Sequence, residues 1–237
     1  MEEKLSGIVL SGVSFGENDK ILNIFTLEKG VVSAKIKGVK KAGAKLKFAS
    51  EPFCFAEFVF SVRGDMRTVI GASLIDSFYP LREDIFKFFA GGTILEFVKK
   101  FYRENIVSEV EFLQTVNALK DLSYGDGDTL TLLIRYLMDS LDEAGYSIHL
   151  TPFCECGGEI TGRTYFDYRS GAFFCEKCSD GKGREINNDT LKALVKVMDG
   201  QEESRENKTK VLKLLEYYIE NRVEESLGSL KELVKIL

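Results

Sequence analysis

Four of the five cysteines fall within 25 residues, as Cys154-x-Cys156, a gap of 18 residues, and Cys175-x-x-Cys178. Two thiols on one tight turn can offer their sulfurs to a single ion, and two such turns complete a tetrahedron. The pattern therefore approximates the paired knuckles of a zinc ribbon. Gly157 and Gly158, directly after the first pair, permit the backbone that a knuckle requires. Four thiolates leave no open coordination position, which a catalytic zinc needs, so a bound Zn2+ would act as a structural staple. The first pair has one intervening residue where two are usual, which makes His149, the only histidine, an alternative ligand. A redox role for Cys175-x-x-Cys178 is the competing reading. It lacks the surrounding βαβ pattern and an electropositive helix start. Cys54 alternates with Ala56, Phe58, Phe60 and Val62 and reads as a small buried apolar residue.

The second group with chemical potential is cationic. From Lys29 to Lys47 there are seven lysines and no Asp or Glu, although the whole chain carries a net charge of −5. Long cations beside a Gly-rich, mobile loop, "KGVKKAGAKLK", suit sequence-tolerant contact with a flexible phosphate backbone. Lys35, Lys37, Lys40, Lys41, Lys45 and Lys47 are the candidate DNA contacts, with Arg63 and Arg67 flanking a later turn. Phe15, Phe48 and Phe55 are candidates for base stacking. Residues 82–150, by contrast, hold 12 acidic and 7 basic side chains.

These groups need elements to position them. Leu5–Val13, Lys20–Leu27, Val31–Lys37, Phe53–Arg63 and Met66–Ile75 are apolar, β-branched or aromatic runs separated by turn residues. Five short strands with one longer connection, residues 38–52, predict a small closed barrel of the OB type. From Pro80 the period becomes helical, with helices expected from Pro80 through Tyr102 and over Glu109–Leu122, Asp128–Ala144, Asp189–Met198, Glu206–Glu225 and Ser229–Leu237. Thr164–Tyr168 and Ala172–Phe174 predict a hairpin joining the cysteine pairs. The expected fold class is α+β: an OB-type barrel at 1–78, a helical domain at 79–149 and 185–237, and a zinc-ribbon-like four-cysteine module inserted at 150–184.

Within this frame, residues 16–58 resemble the RecO family of bacterial recombination mediators. The resemblance rests on Gly16-Glu17-x-Asp19, Phe25-Thr26-x-Glu28-x-Gly30, Lys37-Gly38 and the closing Glu51-Pro52-Phe53, and it continues through "YPLREDI" at 79–85 and the cysteine excursion. It departs from the family in the first cysteine pair, where Phe153 stands at the place of the first ligand. The resemblance implies binding to single- and double-stranded DNA and annealing of complementary strands. It further implies help in loading RecA onto DNA coated with single-strand-binding protein, together with RecR. The basic barrel segment matches the family's DNA-binding segment.

Other function classes lack their residues. No phosphate-binding Gly-Lys-Ser/Thr loop and no Gly-x-Ser-x-Gly elbow occur, and His149-Leu150-Thr151 does not supply the His-x-Glu of a zinc deaminase. The reading is a non-enzymatic mediator. Its alternative is a protein-interaction scaffold of the repair machinery, with an acidic helical docking domain and little direct DNA binding. The acidic start, MEEKLSG, and the lack of a long apolar run lead to the expectation of a cytoplasmic protein, associated with the nucleoid when bound to DNA, with no membrane partner.

Overall fold

The five apolar runs form β1 (Glu2–Phe15), β2 (Asp19–Thr26), β3 (Gly30–Ile36), β4 (Phe55–Arg63) and β5 (Met66–Asp76). The computed structural model describes residues 1–104 and 106–237. They group into two compact units, Met1–Gly125 and Asp126–Leu237.

In the first unit the strands close into a barrel of order β1-β2-β3-β5-β4, with β1 pairing to β4 and β3 running parallel to β5. That order is the OB arrangement. β1 is longer than its apolar run because its first half pairs with β4 and its second half with β2, with a bulge between Val9 and Ser11 where it bends. Alternate residues point inward and are buried: Leu22 and Ile24 on β2, Val32, Ala34 and Ile36 on β3, and Ala56, Phe58 and Phe60 on β4. Cys54 continues this row, and burial pushes its thiol up to about 12, so it behaves as the apolar filler expected.

Pro80 does not open the first long helix. Tyr79–Arg82 is a single 3-10 turn, and α1 (Ile85–Phe101) starts after Asp84, whose Oδ1 accepts from the N–H groups of Phe86 (2.8 Å) and Lys87 (3.0 Å). This capping carboxylate satisfies two orphan donors and sets the boundary. α2 (Glu109–Tyr124) is capped by Ser108. Phe112 packs against Phe25 and Phe55, and Tyr102 against Phe25, so these segments share apolar contacts with the barrel.

The second unit holds α3 (Thr129–Glu143), β6 (Thr164–Asp167), β7 (Ala172–Cys175), the one-turn α4 (Glu176–Ser179), β8 (Arg184–Ile186), α5 (Asn188–Met198), α6 (Arg205–Tyr218) and α7 (Gly228–Ile236). The expected hairpin is present as β6–β7, and β8, which the sequence did not disclose, pairs to the other edge of β6. α6 stops short of Glu225: Ile219–Val223 is a π turn, and Glu224 takes a left-handed conformation at φ 60°. Of the apolar stripe Val211, Leu214, Leu215, Tyr218, Ile219 and Val223 that the sequence predicts, all are buried as a bundle core should be except Val223, half-buried in the π turn. No helix among the described residues is long and apolar enough to cross a membrane.

Candidate nucleic-acid interface and metal centre

A groove of about 940 Å3 runs over the outside of β3 and β5, lined among others by Phe15, Lys35, Lys37, Arg63, Met66 and Ile70. Strand alternation that buries Ala34 and Ile36 turns Lys35 outward. Lys35 pairs with Asp19 at 2.8 Å and lies 4.5 Å over the ring of Phe15. The same Asp19 accepts the N–H of Gly38 at 2.8 Å, and Lys35 followed by this amide holds its carboxyl below the usual range. Asp19 thus ties the end of β3 to the start of β2.

The lysine-rich connection is not a free loop. Successive turns hold it (Lys41 N–H to Gly38, Ala44 to Lys41 and Lys47 to Ala44, each 3.2 Å), Lys40 donates to Asn18 at 3.0 Å, and Val39 and Ala49 are buried as anchors. Lys37, Lys40, Lys41, Lys45 and Lys47 project from this frame and are exposed, as is Arg63 at the β4–β5 turn. Among the described residues none of these six forms a salt bridge. Arg67 is placed differently: its side chain is 12% exposed and bonds Glu3 (3.3 Å) and Glu104 (3.4 Å). Of the aromatic candidates Phe15 and Phe48 are exposed, whereas Phe55 is half-buried with its ring 6.1 Å from that of Phe112.

In the second unit the four expected thiols converge. The Sγ atoms of Cys154, Cys156, Cys175 and Cys178 all lie within 4.8 Å of one another, with Cys156 to Cys175 at 4.0 Å. A tetrahedral ion with metal–sulfur bonds of about 2.3 Å needs sulfurs about 3.8 Å apart, so the donor set fits a closed four-thiolate centre. The one-residue spacing of the first pair is accommodated by a narrow hairpin. Cys154 donates to Gly158 at 2.9 Å, Gly157 donates back at 2.8 Å, and Phe153 bridges to Glu159. Gly157 sits at φ 79°, a conformation costly for residues with a Cβ.

The second pair spans the end of β7 and the turn α4, and the N–H of Cys175 points at the Cys154 sulfur, 3.5 Å away. Burial pushes the Cys154 thiol up, but the amides of Cys175 and Cys156 outweigh it and bring it to about 7. The thiols of Cys154 and then Cys156 push Cys178 up to about 12. Thiols this close resist joint ionisation, and a bound cation removes that resistance. His149 lies outside the cluster; its backbone N–H donates to Gly171 at 2.8 Å. The group that could hold a metal ion is thus the four cysteines, without His149.

The sequence did not reveal the carboxylates that occupy two of the candidate cations. Glu3 and Glu104 are separated from Arg67 by 64 and 37 residues; the barrel brings Glu3 to it, and the bridges of Glu104 to Gly30 and Val31 bring the other.

Comparison with known proteins agrees with this geometry. Residues 1–78 match the family description "Recombination protein O N terminal", and residues 82–231 match "Recombination protein O C terminal". The chain is similar to the protein named DNA repair protein RecO of Acetivibrio thermocellus, with 30% identity over 81% of this chain and 77% of that one. Its namesake in Caldicellulosiruptor bescii is 27% identical over 82% of this chain and 80% of the relative. In Bacillus subtilis the figures are 28%, 75% and 69%. An OB-type barrel followed by helices that carry a four-cysteine cluster, matched along nearly its whole length by both family descriptions, places this chain in the RecO family of DNA repair and recombination proteins.

Proposed function

We propose that this protein is a non-enzymatic recombination mediator that binds single- and double-stranded DNA through the outside of its barrel and anneals complementary strands. Together with RecR, it assists loading of RecA onto DNA coated with single-strand-binding protein. The observation that carries this reading is a set of six exposed cations, Lys37, Lys40, Lys41, Lys45, Lys47 and Arg63, which form no salt bridge among the described residues and of which Lys37 and Arg63 line the groove with Phe15. Unengaged cations need not leave a protein carboxylate before meeting a phosphate, whereas Lys35 and Arg67 would exchange one for the other. Exposed Phe15 and Phe48 provide stacking surface that any base can use.

Kinship to proteins named for DNA repair supports the mediator reading, and the partners RecR, RecA and single-strand-binding protein follow from the family resemblance. The four-thiolate centre holds one Zn2+, which supplies no chemistry to a reaction and fixes the β6–β8 sheet; tetrahedral sulfur sites select zinc or iron–sulfur centres. The site of action is the cytoplasm, at the nucleoid when DNA is bound.

The test is fluorescence annealing of two complementary oligonucleotides, with and without ATP, at two salt concentrations. Acceleration independent of ATP, with single-strand binding that falls at a log–log salt slope of about −4 for six phosphate contacts, is the expected result. Absence of acceleration by folded protein would transfer the reading to a docking scaffold.

A further inference from the structure

The sheet of the second unit carries a second set of cations interleaved with aromatic rings. Phe166 on β6 and Arg184 on β8 are cross-strand partners, so both side chains leave the same face of the sheet. Phe166 is buried against Tyr218 of α6, with ring centroids 5.6 Å apart. Its neighbour Arg184, at the sheet's rim, lands on the adjacent residue of the helix and places its guanidinium 5.1 Å over the ring of Tyr217. Tyr217 meets Tyr168 edge-on at 6.0 Å, and Arg169, in the hairpin turn, lies 5.8 Å from the Tyr168 ring. Arg184, Tyr217, Tyr168 and Arg169 thus form one continuous row. Arg222, in the π turn after α6, lies 5.7 Å over Tyr146.

The charge is not neutralised in place. Among the described residues neither Arg169, Arg184 nor Arg222 forms a salt bridge, and all three are exposed. The opposite strand parity behaves differently: Glu185 points to the other face and, with Glu176, engages Arg163. Asp167, next to Tyr168 in sequence, is used by the hairpin turn, accepting from the Arg169 backbone N–H and from Ser170 Oγ. The guanidiniums of Arg184 and Arg169 each sit beside a tyrosine ring that orients them before any ligand arrives, and Arg169 also bonds the Tyr168 side chain; being exposed, both still offer N–H groups to a phosphate. Cations alternating with rings are the chemistry that single-stranded nucleic acid requires.

We propose that the row Arg184–Tyr217–Tyr168–Arg169, flanked by Arg222, is a second binding site for single-stranded nucleic acid, separate from the barrel groove. It deepens the DNA-binding reading given above but stands on its own residues.

The experiment uses the full, zinc-loaded chain and an oligothymidylate carrying 5-iodouracil, with photo-cross-links mapped by mass spectrometry and affinities read by anisotropy. Cross-links at Tyr168 or Tyr217 are expected, and they persist when Lys37→Glu, Lys40→Glu and Lys41→Glu are introduced together. In that background Arg169→Ser with Arg184→Ser lowers the log–log salt slope by about 1.4, from about 0.7 per phosphate contact. Because both arginines are exposed, zinc content and melting temperature stay at the parental values, which separates loss of contact from loss of fold. Cross-links confined to the barrel, with an unchanged slope, overturn the second site while leaving the barrel reading intact. Cross-links confined to this row overturn the barrel reading instead. Saturable binding of an acidic peptide that Arg169→Ser and Arg184→Ser abolish, with no nucleic-acid cross-link here, overturns the proposal in favour of a protein-docking face.

Discussion

The barrel and the four-cysteine module solve the same problem, holding side chains in place for a ligand, with different resources. The barrel has a core of its own. Leu5, Val9, Leu22, Ile24, Val32, Ile36, Phe58 and Phe60 are buried within one cluster, and closure gives every strand two neighbours, β3 and β5 joining over Ala34–Ile36 and Arg67–Val69. The module has three short strands, of which β8 has three residues, and its buried apolar groups are few: Ile160, Phe166, Phe173 and Phe174. A sheet that small cannot offset its own ordering entropy, so the thiolate cluster and the packing of Phe166 on Tyr218 must supply the difference. The lesson is that the barrel's cations should survive metal loss, whereas whatever the module presents should not.

The largest effect that could break this contrast is metal removal. Binding of a structural zinc contributes on the order of 10 kcal/mol to the folding of a site that does not form without it. One zinc per chain is expected by elemental analysis. Chelation, or Cys175→Ala, should expose the amides of residues 152–187 to hydrogen exchange while those of β1–β5 remain protected. Unchanged protection in the module after complete metal loss would show that the sheet stands without its staple.

The mirror experiment is truncation in the barrel core. Phe58 is fully buried and stacks on Phe60 with centroids 5.9 Å apart, so Phe58→Ala should cost about 3–5 kcal/mol. The loss should appear in the barrel's unfolding transition, with zinc still bound. Release of zinc at the same transition would show that the two regions unfold as one.

Smaller in stability, though large in binding, is charge reversal on the barrel rim. Lys37, Lys40 and Lys41 are exposed and form no salt bridge among the described residues, so replacing all three with glutamate should leave the melting temperature nearly unchanged. Three lost phosphate contacts should weaken single-strand binding about a hundredfold at 0.1 M salt and lower the salt slope by about 2. Annealing should fail with it. Retained annealing would move the DNA-binding reading away from the barrel.

What was legible in the sequence follows from which forces are local. Strand alternation buried the residues it predicted, and the cysteine spacing converged as expected, because both are set by a few neighbouring positions. The motif Phe25-Thr26-x-Glu28-x-Gly30 has a local reason too: Thr26 Oγ1 donates to Gly30 and accepts from Lys29, and Gly30 sits at φ 67°. The start of α1 was misplaced because Pro80 suits a 3-10 turn as well as a helix, and the deciding cap is Asp84. β8 was invisible because Arg184 and Glu185 are exposed and show no alternating apolar pattern. The row from Arg184 to Arg169 was equally hidden, since register across β6 and the phase of α6 determine that Arg184 meets Tyr217.

The smallest predicted effect concerns the barrel's own electrostatics. Glu3 on β1 is held by Lys29, from the β2–β3 turn, and by Arg67 on β5, 3.3 Å away; Lys29 first, with Arg67, keeps its carboxyl below the ordinary value of 4.5 despite opposing desolvation. A carboxyl lowered by folding contributes stability that is fully present above its unfolded value and disappears as pH falls through the lower, folded value. The barrel should therefore lose stability below about pH 4.5, through the window between the two values. Glu3→Gln should cost on the order of 1 kcal/mol at neutral pH and flatten that part of the acid limb. Because Arg67 would then keep only Glu104 at 3.4 Å, the variant also frees a cation beside the groove. Single-strand binding at neutral pH should tighten slightly as stability falls. Weakened binding would instead mean that Glu3 positions Arg67 for the DNA rather than withholding it.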